Sequence, residues 1–182
     1  MKSKTIDEYK EVIKRCKEVF EKKTKDYGTA WRVLRLPSIT DQIYIKAKRI
    51  RSIQEKGNQR VADDIISEFI GIVNYGIIAL IQIGLGDVTG ENVSFDRVMD
   101  EYGNCSDETM QLLEDKNHDY NEAWRDMRIS SMTDIILMKI QRVKQIEDNE
   151  GITIISEGVK ANYQDMINYA VFCLIKLNLS KS

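Results

Sequence analysis

Two lysines of this chain occupy positions where a helix is expected to be apolar. Lys139 lies on the helical face that Ile136 and its apolar neighbours define, and Lys46 repeats this placement earlier in the chain. Arg142 and Arg49 follow three residues after the two lysines, so each pair shares one helical face. A buried cation requires an acidic partner or an anionic ligand. The two pairs therefore either bind an anion such as phosphate, or reach solvent or a carboxylate of their own unit.

A ten-residue pattern, Asp-Tyr-x-x-Ala-Trp-Arg-x-x-Arg, occurs twice and combines aromatic with cationic side chains. Both copies precede a predicted helix, so two arginines and free helix N–H groups can hold a phosphate. The tyrosine and tryptophan can stack on a base, although a tryptophan in a helical corner also suits a core. Ser38 and Asp41 can instead bond the same N–H groups. The binding candidates are Tyr27, Trp31, Arg32 and Arg35 in the first copy, and Tyr120, Trp124, Arg125 and Arg128 in the second.

Two acidic residues near the end of the chain could hold a metal ion. Glu157 and Asp165 are eight residues apart, which is about two turns of a helix, so both can point into one cleft. Carboxylates are the ligands that a hard cation such as Mg²⁺ prefers. We therefore predict a magnesium site at this pair. The alternative is that both are ordinary exposed acids of a helix.

The single histidine is a candidate catalytic base. His118 directly precedes Asp119, and a histidine changes its charge near neutral pH. Either side chain could take a proton from an attacking water. The alternative is that His118 is a turn residue without a catalytic role.

These candidates belong to a repeat that spans most of the chain. At an offset of 93, residues 26–53 align with residues 119–146, and 13 of the 28 positions are identical, against about two expected by chance. The repeat predicts a first unit at residues 1–84 and a second at residues 105–182. Residues 85–104, with a short helix at 94–102, are the predicted linker.

Each unit is predicted to contain three helices. The chain has a single proline, and its Leu- and Ile-rich, charged composition favours helices. The third helices, near residues 65–83 and 159–177, are apolar nearly all round and must be covered on every side. We therefore expect an all-α fold in which the two third helices pack together. Two tandem three-helix repeats would then form a pseudo-twofold helical bundle.

Composition and charge exclude several classes of function. Lys plus Arg number 27 against 29 Asp plus Glu, so no basic surplus indicates duplex DNA binding, and single-stranded nucleic acid is also disfavoured. The N-terminus has no apolar run typical of a signal peptide, so the cytoplasm is the expected location. Residues 69–85 are apolar except for Asn74 and Gln82 but slightly short for a membrane span. We expect a buried central helix and no membrane partner.

The chain resembles the nucleotide modification associated domain family, a helical group from bacteria and phages. The matching pieces are residues 116–120 (Lys-Asn-His-Asp-Tyr), the pair Lys139 and Arg142, and residues 165–170, where Asp165 is followed by Asn168 and a tyrosine. The likeness covers both units and implies a context of nucleotide or DNA modification, with Asn168 added to the substrate-binding candidates. The first unit has Gly71 in place of Asp165, which implies that the second unit supplies the acids of a catalytic centre.

The chain is more distantly similar to all-helical nucleoside triphosphate pyrophosphohydrolases. That likeness implies Mg²⁺ on Asp165 and substrate phosphates on Lys139 and Arg142, with a metal-polarised water as nucleophile. The paired Glu-x-x-Glu and Glu-x-x-Asp motifs of those enzymes are not clear in this sequence.

The first hypothesis is therefore a protein that binds a small-molecule nucleotide, with catalysis an open question. The alternative is a non-catalytic protein interaction module whose repeated polar residues are structural. Homo-oligomer formation also stays open.

Overall fold

The computed structural model describes residues 4–57, 62–86, 91–120, 122–154 and 156–179, without the side chains at 62–63 and 117–120. The described residues form helices and connecting turns and contain no strand, so the predicted all-α class is confirmed. Short 3-10 helices at Ala30–Val33 and Ala123–Asp126 precede the second helix of each unit. The helices of the first unit are α1 (Lys4–Tyr27), α2 (Leu36–Lys56) and α3 (Ala62–Leu85), and those of the second are α4 (Phe95–Tyr120), α5 (Ile129–Asp148) and α6 (Val159–Lys176).

The helices pack with a pseudo-twofold relation between the two units. α3 packs along α6, as predicted, and α2 packs against α5. Within the units, α2 lies against α3 and α5 against α6, and across the units α1 contacts α6 as α4 contacts α3. Each contact therefore has its equivalent when the units are exchanged. One continuous hydrophobic core, with side chains from all six helices, results from this arrangement.

The first helix of the second unit, which the sequence predicts at about residues 107–116, is longer in the structure. α4 runs without a break from Phe95 to Tyr120, so the short helix predicted at residues 94–102 is its beginning. Gly103 and the polar residues after it suggested a linker. However, Val98 and Tyr102, which are about one helical turn apart on α4, are both fully buried in the core. Tertiary packing therefore overrides the weak local preference for helix. The predicted unit boundary at residue 105 falls inside α4.

Helix α3 is the apolar element that the sequence predicts as a central helix. Among the described residues, Asp64–Leu85 is the one segment whose length and composition would allow it to cross a membrane. Of its most apolar window, 61% is buried inside the structure, where the helix packs between α2 and α6.

Two tyrosine–asparagine hydrogen bonds join the units inside the core, and each becomes the other when the two units are exchanged. Tyr9 of α1 donates its hydroxyl to Asn168 Oδ1 of α6 at 2.8 Å, and Tyr102 of α4 donates to Asn74 Oδ1 of α3, also at 2.8 Å. The Nδ2 group of each asparagine donates to a main-chain carbonyl on the first helix of its own unit, at 3.0 Å and 3.4 Å. Each asparagine therefore bonds the first helices of both units at once.

We expect Tyr9→Phe and Tyr102→Phe to destabilise the protein by similar amounts. Either change leaves a buried asparagine oxygen without its donor, which costs about 1 to 3 kcal/mol of the free energy of unfolding. Urea denaturation measures the loss, and Tyr27→Phe, at a side chain that is 73% exposed, is the control that leaves the midpoint unchanged. Unaltered midpoints in both core variants would contradict the importance of these bonds.

A half-buried acid, Glu147, lies where α2 meets α5. Thr40 donates to Glu147 Oε1 at 2.9 Å and lies 2.6 Å from the hydroxyl of Tyr163. At the equivalent contact of the other unit, an uncharged Gln54 donates to Thr133 at 3.1 Å. Burial raises the pKa of the Glu147 carboxyl above its usual range, against the opposing effect of its hydrogen bonds from Thr40 and Tyr163.

We therefore expect Glu147→Gln to unfold at a higher temperature than the native protein at pH 7. With a raised pKa in the folded state, the protein is most stable when Glu147 is protonated and loses stability as pH rises through that pKa. Glutamine keeps an acceptor and carries no charge. Thermal melts at pH 4 and pH 7 check this: the difference from the native protein should appear only at the higher pH. A difference in melting temperature of equal size at both pH values would contradict the role of Glu147 ionisation. The control is Glu114→Gln, the same substitution at an exposed position.

Candidate functional site

Two clefts lie at equivalent positions in the two units. Cleft 1, in the first unit, has a volume of about 760 Å³, and cleft 2, in the second, about 680 Å³. Both contain residues that the sequence marked as candidates. Cleft 1 is lined by Lys23, Tyr27, Trp31, Lys46, Gly71, Asn74 and Tyr75, among others. Cleft 2 is lined by Lys116, Trp124, Lys139, Asp165, Asn168 and Tyr169, among others.

The two lysines of cleft 2 share one carboxylate of the same unit as their ion-pair partner. Lys139 Nζ lies 2.7 Å from Asp165 Oδ2, and Lys116 Nζ lies 3.0 Å from Asp165 Oδ1. The side chains of Asp165 and Lys139 are only 12% and 13% exposed. Burial, together with the negative charge of Asp165, raises the pKa of the nearby Tyr169 hydroxyl. Lys139 therefore has the internal acidic partner that the sequence left as one alternative.

The equivalent lysines of cleft 1 have no such partner in the cleft. Gly71 stands in place of Asp165, and a Cβ atom added to it would lie 2.6 Å from Lys46 Cε, so the lysine stem lies across the glycine. The Lys46 ammonium group is 3.5 Å from Glu68, which also binds Arg49 at 2.8 Å. Lys23 has no ion pair within the described residues, and none of the described residues that line cleft 1 is acidic.

Aromatic side chains surround the lysines of cleft 1. Tyr27 is 73% exposed, and Trp31 is half-buried in the 3-10 helix. The ammonium group of Lys46 lies 5.8 Å from the centre of the Tyr75 ring. Cleft 1 therefore combines cations with accessible aromatic surface.

The tryptophan of cleft 2 is part of the core. The Trp124 ring stacks on Phe172 with 4.2 Å between ring centres, and the guanidinium of Arg125 lies 4.4 Å from the ring centre. An isoleucine, Ile78, stands at the position equivalent to Phe172 in cleft 1. The indole nitrogens of Trp31 and Trp124 are both buried and find no hydrogen-bond partner among the described residues. Trp124 lies in the core with the same feature, so the buried nitrogen of Trp31 does not by itself indicate a ligand.

The first arginine of each ten-residue pattern makes internal contacts. Arg32 is buried and donates to Gln82 of α3. Arg125 forms ion pairs with Glu8 at 2.7 Å and Glu122 at 2.8 Å. These contacts attach the 3-10 helices to neighbouring helices, so neither guanidinium is aimed at a common phosphate site.

The second arginine of each pattern is exposed. Arg35 and Arg128 are the N-cap residues of α2 and α5, and neither makes a side-chain capping bond. The expected capping by Ser38 is wrong because α2 begins at Leu36, so Ser38 lies within its first turn and its main-chain N–H donates to Arg35.

The structure separates the two acids of the predicted magnesium site. Glu157 is exposed in the turn before α6, which begins at Val159, so the expectation that one helix carries both acids is wrong. Glu157 lines a groove of about 840 Å³ with Lys139 and Arg142, whereas Asp165 lines cleft 2. Both Asp165 oxygens accept from lysines, so this pair does not fit a shared cation. Within the described ranges, no three His, Cys, Asp or Glu side chains form a metal-binding group. Magnesium binding stays a prediction.

The predicted catalytic residues fall outside what the structure describes in full. The backbone of α4 includes residues 117–120, but the side chains of His118, Asp119 and Tyr120 lie outside the described residues. The roles of His118 and Asp119 as catalytic base, and of Tyr120 in stacking on a nucleobase, therefore stay predictions. Asn168 lines cleft 2, yet both polar atoms of its amide make the internal bonds of the core.

Sequence reasoning missed one pair of functional candidates. Lys23 and Lys116 are identical at the same offset of 93, but they precede the aligned block and lie on different helices from Lys46 and Lys139. Extending the alignment three residues upstream would have identified them. Only the packing of the first, second and third helices shows that each unit brings two lysines to one cleft.

We expect Asp165→Asn to lower the free energy of unfolding. The change removes the charge between two lysines, and breaking a buried ion pair costs about 3 to 5 kcal/mol, less where one partner reaches solvent. Because Lys116 is 43% exposed, a loss of about 1 to 3 kcal/mol is expected in urea denaturation at pH 7. Asp115→Asn, an exposed acid on the same helix as Lys116, is the control. Native stability in Asp165→Asn would mean that the lysines do not need this partner.

Comparison with known proteins identified one family. A family model described as nucleotide modification associated domain 1 matches residues 23–83 and 116–177, once in each unit. No curated protein matches the chain, and no solved structure does. The two matched segments contain the cleft residues Lys23, Lys46 and Gly71 and their equivalents Lys116, Lys139 and Asp165.

Proposed function

Because the chain belongs to the nucleotide modification associated domain family, we propose that it binds a nucleotide and that cleft 1 is the binding site. One observation carries the proposal: cleft 1 presents two lysines without a lining carboxylate, beside accessible aromatic rings. Its volume of about 760 Å³ lies within the range of small-molecule sites, about 300 to 1,000 Å³. Cleft 2 is less suited, since its lysines already bind Asp165.

The lysines would hold the phosphate end of the ligand. Lys46 is 25% exposed, and an ion pair at a partly buried site is stronger than one in bulk water. Lys23, from α1, approaches the same cleft from its exposed rim. A phosphate oxygen would accept charge-assisted hydrogen bonds from both ammonium groups.

The aromatic side chains would hold the base. A nucleobase can stack on tyrosine and tryptophan rings, and each stacked base contributes about 1 to 3 kcal/mol where this has been measured. Tyr27 has the most exposed ring of cleft 1, and Trp31 adds a half-buried indole ring to the lining. The groove that contains Arg142 and Glu157 has no described aromatic side chain in its lining, so it offers cations without a surface for stacking.

The proposal concerns binding, and hydrolysis of a nucleoside triphosphate stays a prediction. Pyrophosphohydrolysis as the sequence suggested requires a magnesium ion near the scissile phosphates. The acids assigned to that ion line different clefts. No catalytic step is therefore derived from the described side chains.

We expect Lys46→Met to weaken nucleotide binding at least about tenfold, because a hydrogen bond to a charged group contributes about 1.5 to 3 kcal/mol. Lys139→Met is the matched control: it removes the equivalent lysine, which Asp165 holds in cleft 2, and should bind as the native protein does. Isothermal titration with nucleoside mono-, di- and triphosphates, with and without Mg²⁺, measures both variants.

Two results would contradict the proposal. Equal losses in Lys46→Met and Lys139→Met would mean that cleft 1 has no special role. No binding of any nucleotide by the native protein would favour the second candidate, a non-catalytic module that binds a protein partner. Ile45 and Met138 support that candidate, because they are equivalent apolar residues exposed on α2 and α5.

A further inference from the structure

The carboxylate of Asp165 binds both lysines of cleft 2, whereas cleft 1 has Gly71 at the equivalent position. We propose that cleft 1 binds a single phosphate monoester, of the kind a nucleoside monophosphate carries, between the ammonium groups of Lys23 and Lys46. This inference rests on the proposed function, since it takes cleft 1 as the ligand site. Beyond nucleotide binding, the inference specifies that the recognised group is a phosphate and that the site suits one phosphate. It also explains why only one of the two units has such a site.

Equivalent helices bring the two lysines of each unit together. In cleft 2, Lys116 of α4 and Lys139 of α5 bind opposite oxygens of one carboxylate, at 3.0 Å and 2.7 Å. Lys23 of α1 and Lys46 of α2 are their equivalents, and both line cleft 1. The pseudo-twofold relation therefore brings two lysines to each cleft. In the first unit no described carboxylate lines the cleft, and the nearest described acid to Lys46 is Glu68, 3.5 Å away and outside the lining.

Gly71 is what makes the first unit different. Its equivalent on α6 is Asp165, and any side chain at Gly71 would meet the Lys46 stem, with Cε at 2.6 Å and Nζ at 2.9 Å from an added Cβ. The contacted atoms are the far end of a flexible side chain, so an aspartate can be accommodated if Lys46 moves. Gly71→Asp would then recreate the arrangement of cleft 2 and occupy the ligand's position.

The charges of cleft 1 match one phosphate group. Two lysines are the charged residues among those described in its lining, and a phosphate monoester carries about −1.5 to −2 at pH 7. A triphosphate would bring further negative charge to a lining with no third cation. Glu68, beyond Lys46, pairs with Arg49 and Lys46 and would repel that additional charge. A monophosphate is therefore the favoured ligand.

The experiment compares anion binding by the native protein, Gly71→Asp and Asp165→Gly. Isothermal titration and thermal shift use inorganic phosphate, a nucleoside, and the nucleoside mono- and triphosphates, without Mg²⁺. The control is Gly84→Asp, which makes the same substitution on the same helix at an exposed position with no atom within 4 Å of the added Cβ. It changes the net charge equally and should bind as the native protein does.

The expected result is one monophosphate per native chain, bound more tightly than the triphosphate. Gly71→Asp should lose at least about tenfold in affinity for the monophosphate and should show no thermal shift with inorganic phosphate. Asp165→Gly frees Lys116 and Lys139, so it should bind a second equivalent of inorganic phosphate. If that variant does not fold, the Gly71→Asp arm decides.

Two outcomes would overturn the inference. Undiminished binding by Gly71→Asp would mean that the anion lies elsewhere, even if nucleotide binding itself persists and the proposed function stands. Tighter binding of the triphosphate without Mg²⁺ would reject the single-phosphate assignment. If inorganic phosphate gives a shift that Gly71→Asp abolishes but no nucleotide binds better than phosphate, the anion site is supported and the nucleotide proposal fails.

Discussion

The packing of two apolar helices determines the architecture of this protein. α3 and α6 carry apolar side chains on nearly every face, and neither can be covered within a three-helix unit alone. Placing them against each other buries both, and it fixes the positions of the remaining helices around one pseudo-twofold relation. The exchanged tyrosine–asparagine bonds then satisfy the polar atoms that this burial would otherwise leave unpaired. Clefts 1 and 2 occupy equivalent places because the helices that form them are equivalent.

The two equivalent clefts differ in how their lysine charges are paired. In cleft 2 the chain supplies its own anion through Asp165, which pairs with both lysines. In cleft 1 a glycine at the equivalent position leaves the pair without a carboxylate in the cleft lining. The asymmetry continues in the aromatic residues, where Phe172 covers one face of Trp124 and Ile78 replaces it in the first unit. A few residue differences on the third helix thus distinguish the internally paired lysines of cleft 2 from the lysines of cleft 1, which have no described carboxylate in the lining.

Much of the fold could be predicted from the sequence, because it follows from local patterns that occur twice. The all-α class, the packing of the third helices and the unusual placement of Lys46 and Lys139 all follow from helical periodicity. The continuity of α4 could not be predicted, since Gly103 indicates a break and only burial of its neighbours opposes it. The partner of Lys139 could not be predicted either, because Asp165 lies on another helix and its distance depends on packing. The separation of Glu157 from Asp165 could have been predicted, because the third helix expected at residues 159–177 already begins two residues after Glu157, as α6 does.

The exchanged hydrogen bonds also indicate how such a chain could arise. An ancestor with one unit could have satisfied every tyrosine and asparagine by pairing with an identical copy, through an exact twofold axis. In that homodimer each mutation would change both clefts together. Once gene duplication and fusion placed the two units in one polypeptide, positions 71 and 165 could carry different residues, here a glycine and an aspartate. The covalent link therefore permits one half of the molecule to specialise while the other preserves the fold.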